Sequence, residues 1–277
     1  MKITFYGARA QIPTPGPETQ RFGGNTHCIL LTSNDGQKLL VNAGSGLRFA
    51  SHEFEDYRDP IHLLLSQHHW DHIQGFPFFD SIKKPQQQIM IYPANTNEDH
   101  DIAILDQINK TYTVDKFHLL PSTITIKKTK FNLPEPVQIG DFSVQAMKVN
   151  HPGGGSAYKI SCDDKTVVIC NNNELFAPPQ HNYHSFEEWC LFCQYADLLI
   201  HDARYMNADM ANHVGNGHSC LGDAIELANA AEVKMLCMSC LDPSSSDELL
   251  DFLNTRLFAD RLPFSFFFAK EGRQMHV

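Results

Sequence analysis

Charge is thin in this 277-residue sequence, and positive charge is thinner still. Charged residues make up 19%, with 22 Lys and Arg against 32 Asp and Glu, a formal net charge of −10. A general nucleic-acid binder would carry a basic face, which this balance argues against. The candidate patch is Lys127, Lys128 and Lys130, and the alternation of Thr123–Lys130 fits a solvated strand face as well. No run reaches the roughly 18 apolar residues of a membrane span, so no membrane association is expected. The first residues, Met1–Gly7, read as a strand and lack the apolar region of an export signal. The eight cysteines, several in apolar segments (Cys162, Cys170, Cys237), are therefore expected to be reduced thiols in a cytoplasmic protein. No repeat, low-complexity tract or linker interrupts the chain. With 42% apolar residues it is expected to fold as a single domain over 1–277.

What the sequence does have is a dense cluster at 66–75, Ser-Gln-His-His-Trp-Asp-His-Ile-Gln-Gly. It follows the apolar run Ile61–Leu65, which reads as a buried strand. His68, His69, Asp71 and His72 thus fall within five positions at a strand end. Neutral imidazole and carboxylate are good ligands for zinc-type ions, and a strand end aims them at one point.

The stretch resembles the H-x-H-x-D-H signature of the metallo-β-lactamase-fold hydrolases. Asp71-His72 fixes the register, which puts His69 at the second His position and Gln67 at the first. The Pro- and Gly-rich segment 12–24, followed by Asn25-Thr26, is similar to the phosphodiesterase-like branch of that superfamily. As a plain alternative, such a loop covers a sheet edge. Further segments match the family in order along the chain. Val149–Gly154 resembles its next His motif and implies His151 as a ligand. Cys170–Leu175 stands where the family shows T-D-N-E, so Asn172 replaces the bridging Asp, unless 171–173 is a simple turn. Ser239–Pro243 stands where the family shows F-H-H-D-P, so Cys240 replaces a His; it reads equally as a small core residue. Asn42-Ala43-Gly44 replaces an Asp-x-Gly. Gly217-His218-Ser219 resembles the family's G-H-S, implying His218 as general acid or as a loop-stabilising group. Asp202, in Ile200-His201-Asp202-Ala203, would support the site from behind the ligands, as would Asn42.

The resemblance implies an α+β fold, a four-layer αββα sandwich. The residues agree: strands near Lys2–Tyr6, Cys28–Thr32, Lys38–Asn42, Thr123–Lys128, Phe142–Asn150, Ala157–Cys162 and Thr166–Cys170 are expected. An Asp163-Asp164 hairpin turn joins the last two. A strand–helix alternation follows from about 195: strand Ala196–His201, a helix capped by Ser219, strand Lys234–Cys240, a helix opened by the capping box Ser245-x-x-Glu248, and a final strand Phe264–Ala269. One amphipathic helix is expected over Asp99–Tyr112.

The implied metal set is His69, Asp71, His72, His151 and Cys240, with Gln67 and Asn172 as substituted ligand positions. A four-ligand zinc site is worth about 10–16 kcal/mol, so each ligand carries roughly 3–4 kcal/mol. Losing an imidazole at 67 and the bridging carboxylate at 172 leaves His69 and His151 too weak a pair. Asp71, His72 and Cys240 would suffice for one ion with an open position. The expectation is a metal-dependent hydrolase with at most one zinc per chain, manganese being possible and no metal the limiting case. Asp71 would orient water and His218 protonate the leaving group, on a small-molecule or phosphodiester substrate. The alternative is a catalytically inactive ligand-binding or regulatory protein on the same fold. An oligomeric structural role has only the aromatic run Phe264–Phe268 behind it, more simply a core strand.

Overall fold

A computed structural model describes residues 1–98, 100–129, 131 and 135–277. Among the described residues, fourteen strands form two seven-stranded sheets. The first holds β1 (Lys2–Gly7), β2 (Cys28–Thr32), β3 (Lys38–Val41), β4 (Ile61–Leu64), β5 (Gln88–Tyr92) and β6 (Thr123–Ile126). The second holds β7 (Val137–Ile139), β8 (Phe142–Lys148), β9 (Ser156–Cys162), β10 (Lys165–Cys170), β11 (Leu198–Asp202), β12 (Met235–Ser239) and β13 (Ser265–Phe268). The chain then returns as β14 (Gln274–His276), which pairs antiparallel with β1. The helices are α1 (Leu47–Ala50), α2 (Trp70–Ile73), α3 (Ala103–Asp106), α4 (Phe186–Cys193), α5 (Leu221–Ala230) and α6 (Asp247–Ala259). None among the described residues is long and apolar enough to cross a membrane.

Period-two patterning decides which way each strand faces. Ile3, Phe5, Ile29, Leu31, Leu39 and Val41 point into the core between the sheets. Leu30, Leu40, Leu63 and Leu65 point outward, where they pack on Leu47, Phe54, Phe76 and Phe79 of the helical segments. The sheets meet across contacts such as Phe5 on Phe267, edge to face at 6.1 Å. Strands β10 to β13 are parallel and largely apolar at their centres, which α4, α5 and α6 cover on the outer face. This is the expected αββα sandwich. The Asp163-Asp164 turn is also as expected: both residues have positive φ, 54° and 58°, as a type I′ hairpin requires.

Several local expectations are corrected. The helix over Asp99–Tyr112 shrinks to the four residues of α3, and Asp99 lies outside the described residues, as does Lys130. Asn109 ends it: its side-chain oxygen accepts from Thr111 N and its side-chain amide donates to Asp106 O, in competition with helical bonding. Ser219 does not cap α5; its hydroxyl donates to Asn173 O at 2.7 Å and accepts from Leu175 N at 3.1 Å. Cys220 takes the cap position, its N–H donating to Asp223. Helix α6 is capped one residue late, by Ser246 accepting from Leu249 N at 3.2 Å. Phe264–Ala269 is not the last strand, since β14 follows. Strand β5, strand β7 and helix α4 were not legible as elements.

Candidate metal and substrate site

The segments that follow β3, β4, β8, β10, β11 and β12 all open at one end of the sandwich, the carboxyl ends of these strands. At three of them the backbone turns left-handed on a non-glycine residue: Asn42 (φ 63°), Asn172 (φ 54°) and Cys240 (φ 56°). Such turns re-aim a side chain out of the strand direction, and they are uncommon enough to mark a functional position. All three residues are buried, as are Gln67, His72 and Asp202.

The side chains of Gln67, Asn172 and Cys240 form one neutral chain of hydrogen bonds. The Cys240 thiol donates to Asn172 Oδ1 at 3.3 Å. The Asn172 amide donates to Gln67 Oε1 at 2.7 Å and faces His72 Nε2 at 3.0 Å. Gln67 Nε2 in turn donates to Gly154 O at 2.9 Å. Burial first, then the Asp202 carboxylate, pushes the Cys240 thiol well above its ordinary pKa, so it stays protonated and able to donate. Asn42 Oδ1 accepts from Ser66 N and from Ser66 Oγ at 2.9 and 3.0 Å. Having given its proton to Asn42, the Ser66 hydroxyl can only accept from His72 Nδ1, 3.3 Å away. His72 therefore carries its proton on Nδ1 and turns a lone pair, on Nε2, toward the site.

Asp71 sits at the start of α2 and accepts from Gln11 N at 2.9 Å through Oδ2, which lies 3.6 Å from His72 Nε2. The structure groups this pair with His27, at the foot of β2, rather than with Cys240. Among the described residues, His27, Asp71 and His72 are the cluster whose ligand atoms all fall within 4.8 Å of one another. The expected Asp71–His72–Cys240 set does not meet that spacing, because the thiol is turned to Asn172. The His27 and His72 rings stack, with centroids 4.7 Å apart. Burial, then the His72 ring, brings the His27 pKa down to about 3. His27 was not legible, a lone His opening a strand.

His69 and His151 are brought together, ring centroids 5.2 Å apart, and His218 follows 5.9 Å beyond His151. Burial, then the neighbouring imidazoles, lowers His151 to about 3, and burial lowers His69 as well. Gly217 stands against His151 with φ +79°; a Cβ there would lie 2.0 Å from the ring. The loops carrying these residues are tied by Glu174, whose carboxylate accepts from Gly215 N and Gly217 N. His218 is clamped on both sides: Nδ1 to Asp202 Oδ2 at 2.5 Å, and Nε2 to Arg204 Nη1 at 2.9 Å. A guanidinium can only donate, so His218 Nε2 holds a lone pair and its proton faces Asp202. Arg204, which sequence reasoning passed over two residues after Asp202, is nearly buried and paired with Asp242 through Nε at 3.2 Å. A cavity of about 460 Å³ joins these groups; Gln11, His69, Asp71, His151, Arg204 and His218 line it.

No family model matches the chain. Ribonuclease Z from Brevibacillus brevis is 38% identical over 65 residues, 24% of this chain and 20% of that protein's length. Solved structures match over the full length. The metallo-β-lactamase-fold protein YhfI from Bacillus subtilis gives a TM-score of 0.67 at 20% identity, covering 99% of each chain. The short form of human tRNase Z gives 0.66 at 16%, over 100% of this chain and 99% of that one. Zinc-bound PqqB from Methylobacterium extorquens gives 0.67 at 15%, over 100% of both. The chain has the metallo-β-lactamase fold.

Proposed function

We propose that this chain is a metal-dependent hydrolase acting on a small phosphodiester-type substrate, with a metal centre of at most one ion. The observation that carries the proposal is the polar cavity, in which the Asp71 carboxylate, three imidazoles and the Arg204 guanidinium converge. The donor set fits one ion and not two. Asn172, at the bridging position, turns an N–H rather than an acceptor toward His72 and Gln67. Asp71 and His72 would hold the ion, zinc or manganese by the chemistry of those donors. When bound, such an ion polarises a phosphoryl oxygen and acidifies its water.

The chain's own groups supply the rest. Arg204, oriented by Asp242 and His218, binds an anionic phosphoryl oxygen through its free donors. Asp71 accepts a hydrogen bond from the attacking water and orients it. The His218 Nε2 lone pair accepts from Arg204 Nη1, so His218 takes a proton, and returns it to the leaving group, when Arg204 turns that N–H onto the phosphoryl oxygen. Asp202 on Nδ1 stabilises the imidazolium formed in between. The net charge of −10 favours a small substrate over a nucleic-acid polymer. The eight free cysteines suit a cytoplasmic setting.

A second reading, ligand binding without turnover, is favoured by the neutral chain Cys240–Asn172–Gln67–Gly154, whose hydrogen bonds are complete without an ion. The test is hydrolysis of bis(p-nitrophenyl) phosphate by chelator-treated protein, before and after zinc or manganese, with calorimetry of the same ester. Metal-restored turnover that disappears in Asp71→Ala supports hydrolysis. Binding without turnover under every metal selects the second reading, and neither binding nor turnover overturns both.

A further inference from the structure

His27 has no part in that chemistry, yet among the described buried histidines it is the one with neither ring nitrogen hydrogen-bonded. It is fully buried, and neither ring nitrogen has a hydrogen-bond partner among the described residues. His72, His151 and His218 differ, each having a ring nitrogen at hydrogen-bond distance from a partner. A buried imidazole presents one donor and one acceptor, and leaving both unmet is unfavourable unless something else engages the ring. Stacking on His72 accounts for its faces and not for its nitrogens.

We infer that His27 is a metal ligand, and that the ion of this site is held by His27, Asp71 and His72, with Cys240 outside the set. The inference rests on the metal-dependent reading above and names its third donor. The ligand atoms of these three residues already lie within 4.8 Å of one another, all buried. Two of the three are pre-set by their neighbours. Gln11 N holds Asp71 Oδ2, and Ser66 Oγ on His72 Nδ1 places the lone pair on Nε2, where an ion would have to displace only the Asn172 amide, 3.0 Å away. Two neutral imidazoles and one carboxylate form a donor set used by zinc and by manganese, with positions left for water and substrate. Cys240 is a poor rival: its proton is committed to Asn172 Oδ1, and ligation would require both breaking that bond and ionising a buried thiol. The ring of His27 keeps its nitrogens open where a carboxylate and a second imidazole converge.

Cobalt(II) is the probe, titrated into chelator-treated whole protein and followed by its visible spectrum. The wild type is expected to bind one cobalt without a thiolate-to-cobalt charge-transfer band. His27→Asn is expected to weaken binding about 100-fold, the loss of one ligand among few. Cys240→Ser is expected to keep the wild-type affinity and spectrum. A second substitution, His27→Gln, with thermal melts of both variants, separates lost ligation from lost folding. A charge-transfer band that disappears in Cys240→Ser, with wild-type affinity in the folded His27 variants, overturns the inference and leaves the metal-dependent reading standing. No binding of cobalt, zinc or manganese by the wild type overturns both.

Discussion

Asn172→Asp restores a carboxylate where the amide now blocks the site, and its effect can be worked from the distances. The change is isosteric, and Asp tolerates the left-handed φ of 54° nearly as well as Asn. It removes the N–H that covers His72 Nε2 at 3.0 Å and the one given to Gln67 Oε1 at 2.7 Å. Without metal the new carboxylate is buried facing acceptors, so the apo protein should lose about 2–4 kcal/mol of stability. With metal the sign reverses. A ligand in a four-donor zinc site carries roughly 3 kcal/mol, so zinc should bind about 100-fold more tightly than to the wild type. The assay is a zinc competition titration against a chromophoric chelator, with thermal melts in chelator and in excess zinc. The variant should melt below wild type in chelator and gain more on adding zinc. Equal zinc affinity in the two proteins would refute the argument that Asn172 occupies the ion's place.

Three further outcomes are expected. His27 and His151 are neutral in the fold, with pKa values of about 3, and titrate near 6.5 when unfolded, so the unfolded chain binds more protons between those limits. Metal-free stability should be full above that window and fall with pH inside it, by up to about 1.4 kcal/mol per unit for each histidine, as urea titrations from pH 7 to 4 would read. Arg204→Gln removes the charge beside His218 and should weaken phosphodiester binding by calorimetry roughly 10-fold or more, with Arg204→Lys failing to rescue because a single ammonium cannot span His218 and Asp242. Gly217→Ala puts a Cβ 2.0 Å from the His151 ring at a φ of +79°, so His151 must move. That variant should lose at least ~1 kcal/mol in chemical denaturation and shift the His151 imidazole resonances, and unchanged resonances would count against the packing described.

Much of the fold was legible because apolar periodicity carries it. The parallel strands β10 to β12 read as continuous apolar runs, being covered on both faces, and β2 was placed to its exact ends for the same reason. The elements missed were those whose burial comes from distant partners. Strand β14 is short and mostly exposed, and exists because β1 offers it an edge. The cap of α5 slipped by one residue because the Ser219 hydroxyl is already engaged with Asn173. Within the site, the cluster at 69–72 and the remote His151, Asp202 and His218 were readable from local motifs. His27 and Arg204 were not. His27 stands alone before its strand and Arg204 follows Asp202 by two residues without a ligand motif of its own, and both matter because strands far apart in the chain end side by side.

Asn42 and Asn172 stand where the signatures that the sequence resembles carry Asp. Both positions require a left-handed backbone at a strand end, and asparagine is among the residues that adopt it most readily. An amide in place of a carboxylate therefore keeps the turn and the volume while removing a buried charge. It also adds donors: Asn172 uses them to bind Gln67 and cover His72, two positions that a carboxylate could only have left as facing acceptors. Cys240, at φ 56°, completes the chain as a neutral donor to Asn172. The side chains at 67, 172 and 240 are thus coupled, each supplying the partner that another needs. Asn172→Asp alone keeps an acceptor for the Cys240 thiol but should leave Gln67 Oε1 without its donor, whereas Gln67→His, Asn172→Asp and Cys240→His together should create a two-ion site.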